Sequence, residues 1–416
     1  MFENNNRRLL LLFSSHIISG ISSGVSMIAI PWYFTNTLNS NSMFSFLFGV
    51  VTFLGLFWGL YSGTIIDRYC RKNILEKLNF YTGSVIFIIS SCIILFSFNN
   101  SLPILIGLVF SATCFYYIIY YPTLYAFSQE ISEKKNYVKI NSYIEIVGQS
   151  TTVAAGGLAA ILLSGIDFGF IKIEPLAIEK ILIIDSITYL IASYIISKIK
   201  FNSYIKRKNQ ESIYNRLKVG VNFLKERPLI LIYGVCSHII FAFILTELFT
   251  LLPLLIKNFF QKGAYVFAMT DVCYAIGALI SGFFVHIWLR RFNKILLTIV
   301  LILLTSISIL IMISNKFLFS LFFISIFLGV SNSGVRILRN SFLFDNVPNK
   351  KIGRVISIFV SINTVIRMIL IFIFSIYFFS ENENVIYGYI LCSVLLLIFS
   401  IPIIYIYKKL KSNCII

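Results

Sequence analysis

Residues 59–75 read GLYSGTIIDRYCRKNIL, with one acid and three bases placed between two long apolar runs, and a further base, Lys77, just beyond. Gly59 and Gly63 lie four residues apart, so on a helix they share one face. The missing side chains of such a pair let another helix approach closely. Asp67 follows at the same spacing, where the apolar run ends. A plain basic loop explains the bases, but it does not explain the spacing from the glycines to the acid.

The composition of the 416-residue chain places it in a membrane. Apolar residues make up 58% of it and charged residues only 12%, with a mean hydropathy of +0.88, whereas a soluble domain is about 25% charged. The net charge of +18 would suit nucleic acid only as a basic face on a soluble module. Here the bases form short clusters between apolar runs, so we expect a lipid bilayer, and no nucleic acid, around the chain.

The cysteines predict neither a metal site nor disulfides, and the first apolar run predicts a membrane span. All seven cysteines are scattered, nearly all of them inside apolar runs, and no pair has the spacing of a metal site or of a disulfide framework. The first apolar run continues to about Ile30 without a small-residue cleavage site. We therefore interpret it as an uncleaved first span rather than as a signal peptide.

The apolar runs predict an all-α integral membrane protein. A membrane-crossing helix needs about 20 mostly apolar residues, and the chain has twelve such runs. They lie near residues 9–34, 44–66, 76–98, 102–126, 141–164, 180–198, 229–256, 264–288, 294–314, 317–340, 355–379 and 385–407. The longest polar interruption separates six runs from six. We predict two six-helix bundles, residues 1–198 and 229–416, joined by a cytoplasmic linker, 199–228.

The orientation follows from the basic residues, because lysine and arginine are retained in cytoplasmic loops. With the N-terminus inside, the inside segments hold 29 of the 35 lysines and arginines and the outside segments hold five. Arg367 alone lies within a span. Both termini are therefore predicted to be cytoplasmic.

The linker contains a candidate helix. Ile213, Leu217, Val221 and Leu224 recur near helical spacing, with basic residues elsewhere. This pattern is typical of a helix that lies at the membrane surface on anionic headgroups. For residues 199–210 a solvated linker is an equally good interpretation.

The pattern Gly-x-x-x-Asp-Arg-x-x-Arg-Lys resembles the signature between spans two and three of the major facilitator superfamily; its residues here are Gly63, Asp67, Arg68, Arg71 and Lys72. The six-plus-six plan with a long central loop is also similar, so the resemblance covers the whole chain. It implies that Asp67 engages the start of span eleven and helps to close the cytoplasmic side. Span eleven is expected just after residues 350–355 (KKIGRV), which makes Arg354 and the helix N-terminus the implied partners. The bases are expected to anchor at lipid headgroups.

A second copy of the pattern lies 219 residues further on; its residues are Gly282, His286, Arg290 and Arg291. The glycine and the bases persist, while a histidine replaces the acid; a degenerate second copy is usual for this family. The two halves are therefore expected to be parallel repeats related by an axis along the membrane normal.

Four further stretches are similar to the macrolide-efflux and siderophore-export carriers of this superfamily. They are NSYIEIVGQ, IIDSITYLIAS, GVNFLKERPLI and VPNKKIGRVISIF. Exporters of the superfamily commonly carry Gly-Pro-x-x-Gly-Gly in span five, but this chain has TTVAAGG at residues 151–157. The missing Gly-Pro pair leaves the direction of transport open.

The sequence has no motif that would supply chemical energy. It contains no nucleotide-binding loop, no nucleophile elbow and no metal-binding histidine pair on a helix. We expect no enzymatic activity, no cofactor and no bound metal. The energy for transport would come from an ion gradient, with protons as the expected partner, which requires titratable groups within the membrane.

Ionisable residues inside a membrane are costly and are functional candidates for that reason. Glu247 and Arg367 lie deepest among apolar neighbours, and Glu247 is our candidate for proton coupling. A carboxylate that alternates between water and apolar walls would load and release a proton in step with the conformational cycle. The alternatives are a static pair with Arg367 or a hydrogen bond to Thr246 or Thr250.

The other ionisable residues within the spans have plainer interpretations. Glu145, Asp271 and His286 lie near span ends, where headgroups or water reach them. Asp185 lies on span six, which the resemblance implies is peripheral, and we expect it to form a hydrogen bond between helices.

The resemblance implies that spans one, four, seven and ten line the substrate cavity. On span four, tyrosines at i,i+4 spacing form two adjacent aromatic ridges ahead of Pro122. The candidate cavity residues are His16, Ser19, Ser23, Tyr116, Tyr117, Tyr120, Tyr121 and His238. Such a surface suits a bulky amphipathic or cationic small molecule. Aromatic packing in lipid is an equally good interpretation.

Three functions remain compatible with these features. The first is proton-coupled export of a hydrophobic or amphipathic organic molecule, such as a drug, a macrolide or a siderophore, by alternating access. The second is import of a metabolite by proton symport. The third is a membrane receptor or assembly factor that transports nothing, but such a scaffold would not need the signature. We expect a monomer in a bacterial cytoplasmic membrane.

Overall fold

A computed structural model describes residues 2–96, 101–133, 137–167, 172–201, 213–289 and 292–412 of the chain. Within them, 12 helical segments are long and apolar enough to cross a membrane. The twelve predicted spans and the helical fold class are thereby confirmed.

The helices of the spans follow one another with short connections. The first six spans are α1 (Phe2–Asn36), α2 (Asn41–Arg68), α3 (Arg71–Phe96), α4 (Leu102–Glu130), α5 (Tyr137–Ser164) and α6 (Ile178–Ser197). A shorter helix, α7 (Ile213–Lys225), precedes span seven, which contains α8 (Pro228–Ser237), α9 (Ile239–Thr246) and α10 (Leu252–Leu254). The last five spans are α11 (Ala264–Leu289), α12 (Lys294–Ser314), α13 (Leu318–Asn346), α14 (Asn349–Phe374) and α15 (Val385–Ser412).

A short β-hairpin, which the sequence did not predict, follows α5. β1 (Ile166–Asp167) pairs antiparallel with β2 (Lys172–Ile173), and Ile166 lies opposite Ile173. Gly165 ends α5 with φ +70°, a left-handed conformation that glycine adopts without steric cost.

Span seven is irregular. His238 separates α8 from α9, and two π-helical segments, Glu247–Leu251 and Leu255–Phe259, flank α10. Pro253 accounts for part of this irregularity, because proline has no amide hydrogen to donate to the carbonyl of Phe249 and its ring clashes with that carbonyl. Short π-helical turns are rare and recur at functional sites.

The chain divides into two compact units. Unit 1 contains Met1–Ser40, Val50–Asn209 and Gly263–Val272. Unit 2 contains Asn41–Gly49, Gln210–Lys262 and Cys273–Ile416. The main division falls within the predicted linker, but the first residues of α2 belong to unit 2 and the first residues of α11 belong to unit 1.

In unit 1, α1 packs against α4, α5 and α6, and α3 packs against α4 and α6. Glycine permits the close contact of α3 with α6: a Cβ at Gly83 would lie 2.8 Å from the Cβ of Tyr189 and 3.0 Å from the carbonyl oxygen of Ser186. Small residues at helix contacts are typical of membrane bundles, where van der Waals packing drives helix association.

In unit 2, α12 packs against α13 and α15, and α14 packs against α7, α8 and α9. The backbones of α11 and α13 touch where they cross. A Cβ at Gly277 would lie 1.8 Å from the carbonyl oxygen of Ile326, and one at Gly329 would lie 2.0 Å from that of Tyr274. This crossing therefore requires glycine on both helices.

The helix predicted within the linker is present as α7, but it packs on protein. Phe223 is buried in a cluster that α7 forms with α8, α13 and α14. A Cβ at Gly220 would lie 2.6 Å from a side-chain atom of α14. The cationic groups of Arg227 and Lys351 each lie 5.0 Å from the ring centre of Phe223. An apolar part of α7 thus contacts α14, and the predicted contact of this helix with headgroups stays a prediction. Most of the predicted solvated linker lies outside the described residues.

Candidate functional site

The last two bases of the signature bind the ends of neighbouring helices. Arg71 donates from Nη1 to the carbonyl of Ala126 at 3.1 Å and to Oε2 of Glu130 at 3.3 Å, both in the last turns of α4. Lys72 donates to the carbonyl of Ser197, the last residue of α6, at 2.9 Å. These cations lie at the negative ends of the helix dipoles and stabilise them. Arg71 and Lys72 therefore bind within unit 1, and the expectation that the bases anchor at headgroups stays a prediction.

The first half of the signature is less fully described. The side chain of Asp67 lies outside the described residues, so its engagement with the start of span eleven stays a prediction. A Cβ at Gly63 would meet no described neighbour within 4 Å, and one at Gly59 would lie 3.8 Å from a side-chain atom of Ile118, so the described residues show no unusually close helix contact at this pair. Arg68 is exposed at the end of α2. Because α14 begins at Asn349, Arg354 lies inside span eleven rather than before it.

The second copy of the signature stays a prediction. Gly282 lies exposed on α11, and a Cβ there would meet no described neighbour within 4 Å. The side chain of His286, and the whole of Arg290 and Arg291, lie outside the described residues.

Both predicted aromatic ridges of α4 are present. The rings of Tyr116 and Tyr120 stack with 4.7 Å between their centroids, and those of Tyr117 and Tyr121 with 5.4 Å. The first ridge is buried in unit 1, with Tyr116 and Tyr120 only 2% and 1% exposed. Tyr121 is 39% exposed and Tyr117 is half-buried. The second ridge is therefore the more exposed of the two.

The polar side chains of His16, Ser19 and Ser23 form a stripe along α1 that packs against these tyrosines. His16 is buried, and its Nδ1 lies 3.2 Å from the hydroxyl of Tyr120. Ser19 donates to a carbonyl one turn earlier at 3.0 Å. The hydroxyl of Ser23 forms a hydrogen bond with that of Tyr117. The stripe therefore joins α1 to both ridges of α4 inside unit 1.

Glu247 is buried at the first residue of a π-helical segment, with 5% of its surface exposed. The hydroxyl of Tyr389 on α15 donates to its Oε1 at 2.9 Å. The sequence did not reveal this partner, because the two residues lie 142 positions apart. The hydroxyl is a neutral donor and adds no counter-charge, so this contact is compatible with the coupling role.

Both alternatives for Glu247 stay predictions. The hydroxyl of Thr246 donates to the carbonyl of Ala242 at 2.9 Å, and that of Thr250 donates to the carbonyl of Thr246 at 2.6 Å. Each hydroxyl has a single hydrogen but can still accept a hydrogen bond, so a protonated Glu247 could donate to either oxygen. Arg367 lies half-buried on α14, which packs against α9, and its pairing with Glu247 stays a prediction.

Two side chains that the sequence did not single out donate hydrogen bonds to backbone carbonyls at the break between α8 and α9 in span seven. Arg339 on α13, 6% exposed, donates to the carbonyl of Ser237, the last residue of α8, at 3.2 Å. Asn363 on α14 donates to the carbonyl of His238 at 2.8 Å. His238 is buried and donates from Nδ1 to the carbonyl of Gly234 at 2.6 Å. Arg339 was missed because it lies near the end of span ten and was counted among the basic residues of the following cytoplasmic segment.

The family follows from a match over most of the chain. A sequence model described as the Major Facilitator Superfamily matches residues 12–371. The chain belongs to the Major Facilitator Superfamily. It is accordingly a multi-pass membrane protein of a transporter family. No curated protein sequence matches it significantly.

Solved structures share this fold. The nucleoside transporter NupG has a TM-score of 0.73 at 11% identity, over 96% of this chain and 99% of that chain. A bacterial homologue of the human lysosomal transporter Spinster has a TM-score of 0.70 at 13% identity, over 97% of each chain. The D-xylose-proton symporter has a TM-score of 0.67 at 11% identity, over 95% and 97%. At such low identity the likeness shows the fold alone.

In this major facilitator chain, the predicted site residues fall into separate groups. The α1 stripe and the α4 tyrosines come together in unit 1, whereas Glu247 meets Tyr389 and His238 meets Asn363 in unit 2. Their roles in substrate binding and coupling stay predictions.

Proposed function

We propose that this chain is a secondary active transporter that exports a hydrophobic or amphipathic organic molecule in exchange for protons. A drug, a macrolide or a siderophore is the substrate class that the sequence resemblance favours. The observation that carries the proposal is Glu247, a buried carboxyl at an irregular turn of a membrane span with a tyrosine hydroxyl on its Oε1.

The proposed cycle uses Glu247 as the proton carrier. In one state the carboxyl meets water and exchanges its proton, and in the other it lies among apolar side chains, where the charged form is costly. The protein therefore changes conformation in one direction with Glu247 protonated, and in the other direction with substrate bound. Asp67 closes the cytoplasmic side by engaging the start of α14.

The proposed substrate surface is the second ridge of α4. The rings of Tyr117 and Tyr121 stack, and Tyr121 is the more exposed of the two. Aromatic faces bind apolar rings by stacking and cations through the ring quadrupole, so this surface suits an amphipathic molecule.

A second candidate is import of a metabolite by proton symport. Residues 151–157 of α5 lack the Gly-Pro pair common in exporters, and a D-xylose-proton symporter has the same fold. Cells that lack and cells that overproduce the protein would separate the two directions. Export predicts that overproduction lowers the cell content of a labelled macrolide, siderophore or drug, whereas import predicts that it raises the content of a labelled metabolite.

The proposed topology places two six-helix bundles in the cytoplasmic membrane of a bacterium, as a monomer with both termini inside. We expect green fluorescent protein inserted after residue 205 to fluoresce, and alkaline phosphatase inserted after residue 382 to be active outside. The reason is the concentration of basic residues in the predicted inside segments. Phosphatase activity at 205 with fluorescence at 382 would reverse the topology.

A further inference from the structure

Asp185 is the most deeply buried acid among the described residues of unit 1. It lies on α6, which packs against α1 and α3, and it is 0% exposed. Neither of its carboxylate oxygens has a hydrogen-bond partner among the described residues. The hydroxyls of Ser22 and Ser26 on α1 lie beside the carboxyl, so the hydrogen bond between helices that the sequence led us to expect stays a prediction.

Two further polar groups beside Asp185 also lack partners. The hydroxyl of Tyr189, one turn along α6, and that of Ser26 on α1 are both fully buried without a hydrogen bond to any described residue. Tyr117 on α4 lies within electrostatic range of the carboxyl, and the hydroxyl of Ser22 on α1 lies beside it. Unit 1 thus contains a cluster of hydroxyl oxygens around a single buried acid.

Among the described residues, no cation balances this acid. Asp185 forms no ion pair with a described lysine, arginine or histidine. The titratable groups that face it are the tyrosines Tyr117 and Tyr189, and a charged tyrosine would be of the same sign. An ionised carboxylate that is buried with neither a counter-charge nor a hydrogen bond is strongly disfavoured.

We propose that Asp185 is a proton-binding site within unit 1, separate from Glu247, and that the protein holds it as the neutral acid in this state. A carboxylic acid both donates and accepts, so a small rotation allows it to donate to one hydroxyl and accept from another. Ser26 and Tyr189 are the groups in position to do so. A proton requires no more than these oxygens, whereas the described residues include no cluster of three acidic, histidine or cysteine side chains that could hold a metal ion.

The site is tested by infrared spectroscopy of the full chain in liposomes at neutral pH, with no substrate present. A protonated carboxyl has a carbonyl stretch that a carboxylate lacks. We expect Asp185→Asn to remove the intensity of one protonated carboxyl per chain. The matched control is Asp345→Asn, since Asp345 lies at the surface in an ion pair with Lys294 and is expected to contribute no such band.

Two further measurements complete the test: spectra of variants that lack a neighbouring hydroxyl, and a spectrum with sodium in place of potassium. Ser26→Ala and Tyr189→Phe each remove one neighbouring hydroxyl, and each should shift the frequency of the Asp185 band without removing it. An unchanged spectrum in Asp185→Asn would overturn the proposal. A band that disappears when sodium replaces potassium would also overturn it, because the site would then bind a metal cation. The spectra are independent of transport, so failure of the export proposal would leave this result unaffected.

Discussion

Glu247→Gln is expected to abolish pH-driven accumulation of substrate while leaving substrate exchange intact. The amide keeps the shape of the side chain and can still accept the hydrogen bond from Tyr389, but it cannot ionise. A gradient of one pH unit, which is about 1.4 kcal/mol, concentrates substrate at most about tenfold for one-to-one exchange. The variant should therefore fall from that ratio to no accumulation, while exchange of labelled for unlabelled substrate stays within about twofold of wild type.

The control for this prediction is Glu381→Gln, because Glu381 is an exposed acid after α14. It should accumulate substrate like wild type. Tyr389→Phe is expected to give an accumulation ratio between those of wild type and Glu247→Gln. It removes the tyrosine hydroxyl that donates to Oε1 of Glu247, but the carboxyl of Glu247 remains. If Glu247→Gln still concentrates substrate when driven by pH, Glu247 is not the coupling group.

Asp67→Asn is expected to reduce transport by more than about tenfold, equivalent to about 1.4 kcal/mol, without loss of folded protein. The neutral amide has nearly the same size, but it loses the charge that would engage the positive N-terminal end of α14. A cysteine introduced in place of Ser357, which is exposed on α14, should then react faster with a reagent added from the cytoplasmic side. Transport rate, folded yield and labelling rate are the three measurements.

The bases of the same signature provide a contrasting control. Arg71 binds the end of α4 through two hydrogen bonds, so Arg71→Gln should lower stability by about 1–3 kcal/mol. Asp67→Asn should therefore lose transport at normal stability, whereas Arg71→Gln should lose stability. Normal transport by the Asp67→Asn variant would contradict the proposed role of Asp67 in closing the cytoplasmic side.

The sequence predicted the spans well, because membrane insertion is decided by the length and apolarity of single segments. It also predicted the two tyrosine ridges of α4, since i,i+4 neighbours meet on any helix. These features depend on local spacing alone. The helix α7 was found for the same reason, but the sequence did not show that α14 would contact it.

The contacts that were missed join residues far apart in the chain. No local pattern links Glu247 to Tyr389, or Arg339 to the end of α8. Arg71 and Lys72 were interpreted as headgroup anchors because cytoplasmic loops are basic in any case. Their role at the ends of α4 and α6 depends on which helix ends lie nearby, which only packing decides.

The central claim, export by exchange with protons, is tested most directly in proteoliposomes with an imposed pH gradient. A labelled macrolide, siderophore or drug is added outside, and vesicles without protein correct for passive trapping of basic compounds in an acidic lumen. The proposed exchange predicts accumulation when the lumen is acidic and none when the outside is acidic, whichever way the protein is inserted. Accumulation only with an acidic outside would show symport, and uptake equal to that of protein-free vesicles for every compound under both gradients would contradict the proposed transport.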